Sequence, residues 1–265
     1  MDLELNGRGC LVTGATRGIG RATARSLCAE GAHVLLCGRD GAAVERAAAE
    51  CARAGGRAEA IAADVTEPGA GDRLVAACQE RLGVLDVLVN NAGTSAVRPL
   101  DQLRDEDWRA QWELHVMAPL ALMRAAAPLM AERGHGRIVN VCSSSGKRPS
   151  LTNAAYSVSK AAQLSLSRVF ADAYAERGVL VNAVAPGPVE TPLWTAEGGL
   201  ADQMAAAQGI DRGEVLEGAR AKIPLGRFGS DDEVAAVIVF LCSARASNVT
   251  GAAWSVDGGA VPIIL

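Results

Sequence analysis

Short apolar runs alternate with longer stretches of helical periodicity along this chain. The runs are Cys10–Thr13, His33–Cys37, Ala60–Ala63, Val84–Val89, Arg137–Cys142, Leu180–Ala185 and Ala253–Val256. Between them lie Ile19–Glu30, Ala42–Ala54, Ala70–Arg81, Glu106–Arg133, Thr152–Arg177 and Asp231–Ser243. Short continuous apolar runs read as strands buried on both faces, as in parallel sheets covered by helices. The alternation predicts βαβ units with right-handed crossovers, and so an α/β, doubly wound parallel sheet of about seven strands with helices on both faces. Residues 1–265 read as one domain, with no internal repeat or linker. Only the region about 190–229 breaks the rhythm with Gly, Pro and charge, and a segment that long is expected to be a substrate lid with helices of its own.

Composition sharpens this picture. Of the 265 residues, 49% are hydrophobic and 21% charged, enough for a sizeable core. A net charge of −4 gives no broad attraction to nucleic acid or to an acidic membrane. Lysine stands only at 147, 160 and 222, so each one is conspicuous. Seven cysteines with no CxxC pair argue for reduced, buried thiols in a cytoplasmic protein, with neither a disulfide framework nor a metal site. The acidic start MDLELNGRG has no apolar core of a signal peptide. No apolar run reaches ~18 residues, so no transmembrane helix is expected.

Chemistry enters at the first turn. Leu11-Val12 runs into Thr13-Gly14-Ala15-Thr16-Arg17-Gly18-Ile19-Gly20, and a helix follows. Gly14 allows a sharp turn, Gly18 lets the backbone approach a ligand, and Gly20 permits close packing of helix on strand. The helix start then offers free N–H groups and a positive dipole end to a pyrophosphate. After the second strand run, an acidic residue would mark NAD(H). Asp40 stands slightly too late for that and reads as the N-cap of the next helix. Arg39 and Arg17 suit a 2′-phosphate instead, so NADP(H) is expected over NAD(H). Asp64-Val65 ends the third run, where an adenine edge would lie. Asn90-Asn91-Ala92-Gly93 ends the fourth, at the carboxyl end of a parallel strand, where ligands bind.

The second chemical signal is Thr152–Lys160, TNAAYSVSK. Tyr156 and Lys160 lie one helical turn apart on one face. A nearby ammonium favours the phenolate, so the pair is a ready acid or base.

Taken together, TGATRGIG at 13–20, DV at 64–65, NNAG at 90–93, the serine at 143, YSVSK at 156–160, PGPVET at 186–191 and DGG at 257–259 resemble the short-chain dehydrogenase/reductase family nearly end to end. The resemblance implies a Rossmann-like fold and interconversion of a small-molecule ketone and secondary alcohol by hydride transfer. Tyr156 would be the acid/base. Lys160 would lower its pKa and hold the nicotinamide ribose. Ser143, thirteen residues before the tyrosine, would bind the substrate oxygen. The glycine turn (Gly14, Thr16, Arg17, Gly18, Ile19, Gly20), with Arg39, Asp64, Val65, Asn90, Ala92 and Gly93, would hold the nucleotide. Pro186, Gly187, Val189 and Thr191 would meet the nicotinamide end. In place of the family's relay asparagine stands His115. Pro119, four residues on, cannot donate to the carbonyl of residue 115, which would be left free for a relay water. Catalysis is expected to be retained but altered, with His115 in the site. A homotetramer would pack through the helices at Glu106–Arg133 and Thr152–Arg177. The substrate is expected to be an uncharged, fairly apolar ketone. The competing readings are a 3-oxoacyl-carrier-protein reductase, an NAD-linked dehydrogenase, and a non-catalytic dinucleotide-binding scaffold or sensor.

Overall fold

The computed structural model describes residues 2–262. Seven strands form one sheet: β1 (Gly9–Thr13), β2 (His33–Gly38), β3 (Arg57–Ala62), β4 (Val87–Asn90), β5 (Gly136–Val141), β6 (Val179–Pro186) and β7 (Ala253–Val256). All neighbours pair in parallel, in the order β3-β2-β1-β4-β5-β6-β7. Alternate residues of each strand feed opposite cores. Val12, Val34 and Leu36 pack under α1 (Gly18–Ala29), α2 (Gly41–Ala52) and α11 (Asp231–Cys242). Leu11, Leu35 and Leu88 pack under α3 (Ala70–Leu82), α5 (Ala118–Glu132) and α7 (Ala154–Tyr174). This two-faced burial explains why the strands show no polar alternation.

Two strands differ from expectation for local reasons. β3 begins three residues early, at Arg57, because its first half carries charge at the sheet edge, where polar side chains reach water. β4 begins at Val87, not Val84. The Asp86 backbone still bonds to Gly9 and Arg137 on the neighbouring strands, while its side chain accepts from the Gly9 N–H at 3.1 Å and pairs with Arg133.

The long helix expected over Glu106–Arg133 is broken. α4 (Asp105–Trp112) leads into a π-turn, Glu113–Met117, and then into α5. Pro119 has no N–H to continue the regular ladder, and the chain widens so that Ala118 N–H reaches the Glu113 carbonyl. By length and composition alone Asp105–Glu132 is long and apolar enough to cross a bilayer. Half of its most apolar window is buried inside the domain, with Leu122, Met123, Ala126 and Met130 on the sheet. It is a core helix here.

β1 pairs with both β2 and β4, so the winding reverses there, and a cleft opens beyond the strands' carboxyl ends. The region 190–229 covers this cleft with α8 (Pro192–Thr195), α9 (Leu200–Gln208) and α10 (Arg212–Arg220). A bridge of Val189 to Gly229 closes its base. Gln203 accepts from the Val97 N–H at 2.8 Å, which ties α9 to the loop after β4.

Candidate active site

One end of the cleft is built by the glycine turn. Gly14 has φ +63°, and a Cβ there would lie 2.7 Å from the Ala92 Cα. At Gly20 a Cβ would collide with the Gly14 carbonyl oxygen and the Asn91 amide, so α1 can sit this close only with glycine. The turn is clamped by Asn91, whose side chain donates to the Thr13 and Gly14 carbonyls at 2.9 and 3.0 Å. Asn90, the predicted partner of the ligand, points its amide at Asn140 within the sheet, 2.8 Å away. α1 starts behind Arg17 with no side-chain cap, so its first N–H groups face the cleft unbonded. Asp40 caps α2 by accepting from the Ala43 N–H at 3.0 Å, as its position suggested. Hydrogen bonds from Thr66, aided by Arg39, hold the Asp64 carboxyl below the usual carboxylate range.

The other end is built by β5 and α7. Ser143 lies two residues past β5, is 8% exposed and caps the short α6 (Ser144–Lys147) by accepting from the Ser145 N–H. α7 presents Tyr156 beside it. Burial pushes the Tyr156 phenol up to about 12, and the neighbouring Ser143 hydroxyl opposes that only in part. Burial thus works against the lowering expected from the Tyr–Lys spacing. The Lys160 ammonium is aimed elsewhere: it lies 5.7 Å from the Tyr156 ring centre and donates to the Val141 carbonyl and to Gln163 Oε1, each at 2.9 Å. Burial pushes Lys160 down to about 8. Burial likewise pushes the neighbouring Cys142 thiol up to about 12, which fits a core residue.

His115 is fully buried on the π-turn, with its ring edge-on to Tyr156 at 5.2 Å. Its Nε2 accepts from the Thr94 N–H at 3.3 Å. The hydrogen therefore sits on Nδ1, which donates to Ser159 Oγ at 3.0 Å. The Ser159 hydroxyl donates in turn to the Tyr156 carbonyl at 2.8 Å. Both ring nitrogens are committed, and burial and Lys160 hold the pKa well below the ordinary histidine value.

The cleft has a volume of about 740 Å³, within the range of small-molecule sites. Of the predicted residues, all but Asn90 and His115 line it. Beyond Tyr156 its walls carry Ser95, Ser145 and Asn153 beside Leu114, Trp194 and Leu200. Ser159, Gln163 and Thr94 were not foreseen; each acts through a neighbour and carries no motif of its own.

A family model described as enoyl-(acyl carrier protein) reductase matches residues 14–261. Galactitol 2-dehydrogenase of Agrobacterium fabrum is 33% identical over 258 residues, covering 97% of this chain and 98% of its own length. The chain belongs to the short-chain dehydrogenase/reductase family. A 3-oxoacyl-[acyl-carrier-protein] reductase of Thermotoga maritima, another similar protein, is 34% identical over 261 residues, covering 98% of this chain and all of its own. Among solved structures, L-sorbose reductase from Gluconobacter frateurii, complexed with NADPH and L-sorbose, superposes with a TM-score of 0.92 at 34% identity over the full length of both chains. This short-chain dehydrogenase/reductase is thus an oxidoreductase with the sheet, glycine turn and Ser–Tyr–Lys set in one cleft.

Proposed function

We propose that the chain is an NADP(H)-dependent oxidoreductase that interconverts a small ketone and its secondary alcohol, with Tyr156 as the acid/base. The convergence of Ser143, Tyr156 and Lys160 in the same cleft as the uncapped start of α1 carries this reading. Arg17 and Arg39 line that cleft and make no ion pair among the described residues. The helix start fits a pyrophosphate and the arginines fit a 2′-phosphate. Asp40 is committed to α2, which removes the acidic partner an NAD ribose would want. The NADPH bound in the similar sorbose reductase supports the same choice.

When bound, the nicotinamide supplies the hydride. The protein's part is to handle the proton and the developing charge. Ser143 donates a hydrogen bond to the substrate oxygen, and Tyr156 gives that oxygen its proton. Lys160, charged below about 8, steadies the phenolate left behind. Ser95, Ser145 and Asn153 at the substrate end support an uncharged ketone that carries hydroxyl groups, more polar than the sequence suggested. The galactitol and sorbose enzymes among the similar proteins point the same way. Similarity to the Thermotoga reductase supports 3-oxoacyl-carrier-protein reduction as a second reading. Apolar Trp112, Met117, Val158 and Val169 stand exposed on α4, the π-turn and α7, which supports the homotetramer.

The test follows NADPH absorbance with a panel of hydroxyketones, aliphatic ketones and a 3-oxoacyl thioester. Turnover with the hydroxyketones is expected. Tight NADPH binding with no turnover on any of them would leave a scaffold. Arg39→Asp is expected to weaken NADPH binding by at least about tenfold, the loss of one charge-assisted contact, and to spare NADH; an unchanged NADPH dissociation constant would overturn the cofactor choice.

A further inference from the structure

Lys160 and Gln163 are 3% and 1% exposed, and they sit one turn apart on the face of α7 that packs against β5. An ammonium has three donors. Two of those on Lys160 are taken, one by the Val141 carbonyl and one by Gln163 Oε1, each at 2.9 Å, which leaves the third for the cleft. An amide buried this deeply is costly unless bonded, and an apolar side chain would fill the position without that cost. Gln163 is the one side chain that accepts from Lys160 among the described residues. The titratable groups that bear on the ammonium are Tyr156 on its own helix, Cys142 at the end of β5 and His115 on the π-turn. The thiol and phenol are held up and the imidazole is held down, so all three are uncharged at neutral pH. Among the described residues no carboxylate balances the lysine, and dipoles hold its charge.

We propose that Gln163 is the positioning residue of Lys160: its amide oxygen fixes the ammonium against β5 and keeps it charged at the edge of the cleft. The proposal rests on the role given to Lys160 above. His115 does not compete for the task, because both its nitrogens are bonded to Thr94 and Ser159. The carbonyl dipole of Gln163 stabilises the protonated lysine and does nothing for the neutral one.

With only three lysines, the chain permits a direct measurement. Protein labelled with 13C-lysine is titrated by NMR, and Lys160 is assigned by comparison with Lys147→Arg and Lys222→Arg. Gln163→Met keeps the length and removes the acceptor; the Lys160 midpoint is expected to fall by about one pH unit, the size of one hydrogen bond to a charged group. Gln163→Glu replaces the dipole with a charge and is expected to raise the midpoint by at least about as much. The alkaline limb of kcat for hydroxyketone reduction should follow both shifts, with Gln163→Glu recovering the high-pH activity that Gln163→Met loses. If either variant binds NADPH normally, so is folded, and leaves the midpoint of Lys160 unmoved, the proposal is overturned. Should the midpoints move in a protein that reduces no carbonyl, Gln163 keeps its role as the anchor of Lys160 and the functional reading fails instead.

Discussion

Replacing His115 by glutamine should change how stability depends on pH, and the size of the change follows from the burial of the ring. In the folded chain the imidazole is neutral and fully buried. Its Nε2 faces the Thr94 N–H, so a proton added there would set donor against donor. In the unfolded chain the same ring takes a proton near pH 6.5. A folded-state pKa that is depressed leaves stability untouched above 6.5. Below it the unfolded state gains a proton that the folded state refuses, and stability falls until the folded value is reached. The slope is about 1.4 kcal/mol per pH unit for one group, and integration from neutrality gives about 1.4 kcal/mol lost by pH 5.5 and about 2 by pH 5. Glutamine does not titrate, so His115→Gln lacks this loss. Urea midpoints of both proteins at pH 7.5 and 5.5, at one fixed protein concentration, give the double difference in which all other titrations cancel. A wild-type loss about 1.4 kcal/mol greater than the variant's is expected. Equal losses would mean that His115 accepts its proton in the folded state, and the assigned bonds to Thr94 and Ser159 would be wrong.

Two further outcomes follow from packing. Gly20→Ala drives a methyl group into the Gly14 carbonyl oxygen and the Asn91 amide, and should cost about 1–3 kcal/mol and several degrees of Tm, read by calorimetry; an unchanged Tm would show that α1 can move away from the turn. Val169→Asp puts a charge on an apolar position of α7 that is 59% exposed, and light scattering should then report a smaller species than the wild type, whereas a monomeric wild type would reject assembly through these helices.

Most of the fold was legible because burial on both faces makes a strand visible as an apolar run. β7 has the bounds expected of it, and β1 and β5 shift by a residue. β3 was half hidden, since an edge strand that carries Arg57 and Glu59 does not look apolar. The break in the long helix was foreshadowed by Pro119, but the π-turn was not, because the widening depends on how Glu113 and Ala118 meet in space. The site divides in the same way. The glycine turn and the Tyr156–Lys160 spacing are local patterns and could be read directly. Asn91 clamps a turn 78 residues away, so spacing alone could not separate it from Asn90 beside it. Gln163 is only three residues from Lys160, yet its meaning depends on the lysine turning to Val141, which no linear pattern records.

The Tyr156–Lys160 pair itself shows where a motif stops being informative. A tyrosine and a lysine one turn apart suggest that the cation lowers the phenol. That holds only if the two charges meet outside the reach of desolvation. Here burial works on both and in opposite directions, raising Tyr156 to about 12 and lowering Lys160 to about 8. On raising pH, the protein alone therefore loses the lysine proton well before the phenol proton. Under the proposed function, the high-pH limit of activity belongs to Lys160, and whatever holds its charge sets that limit.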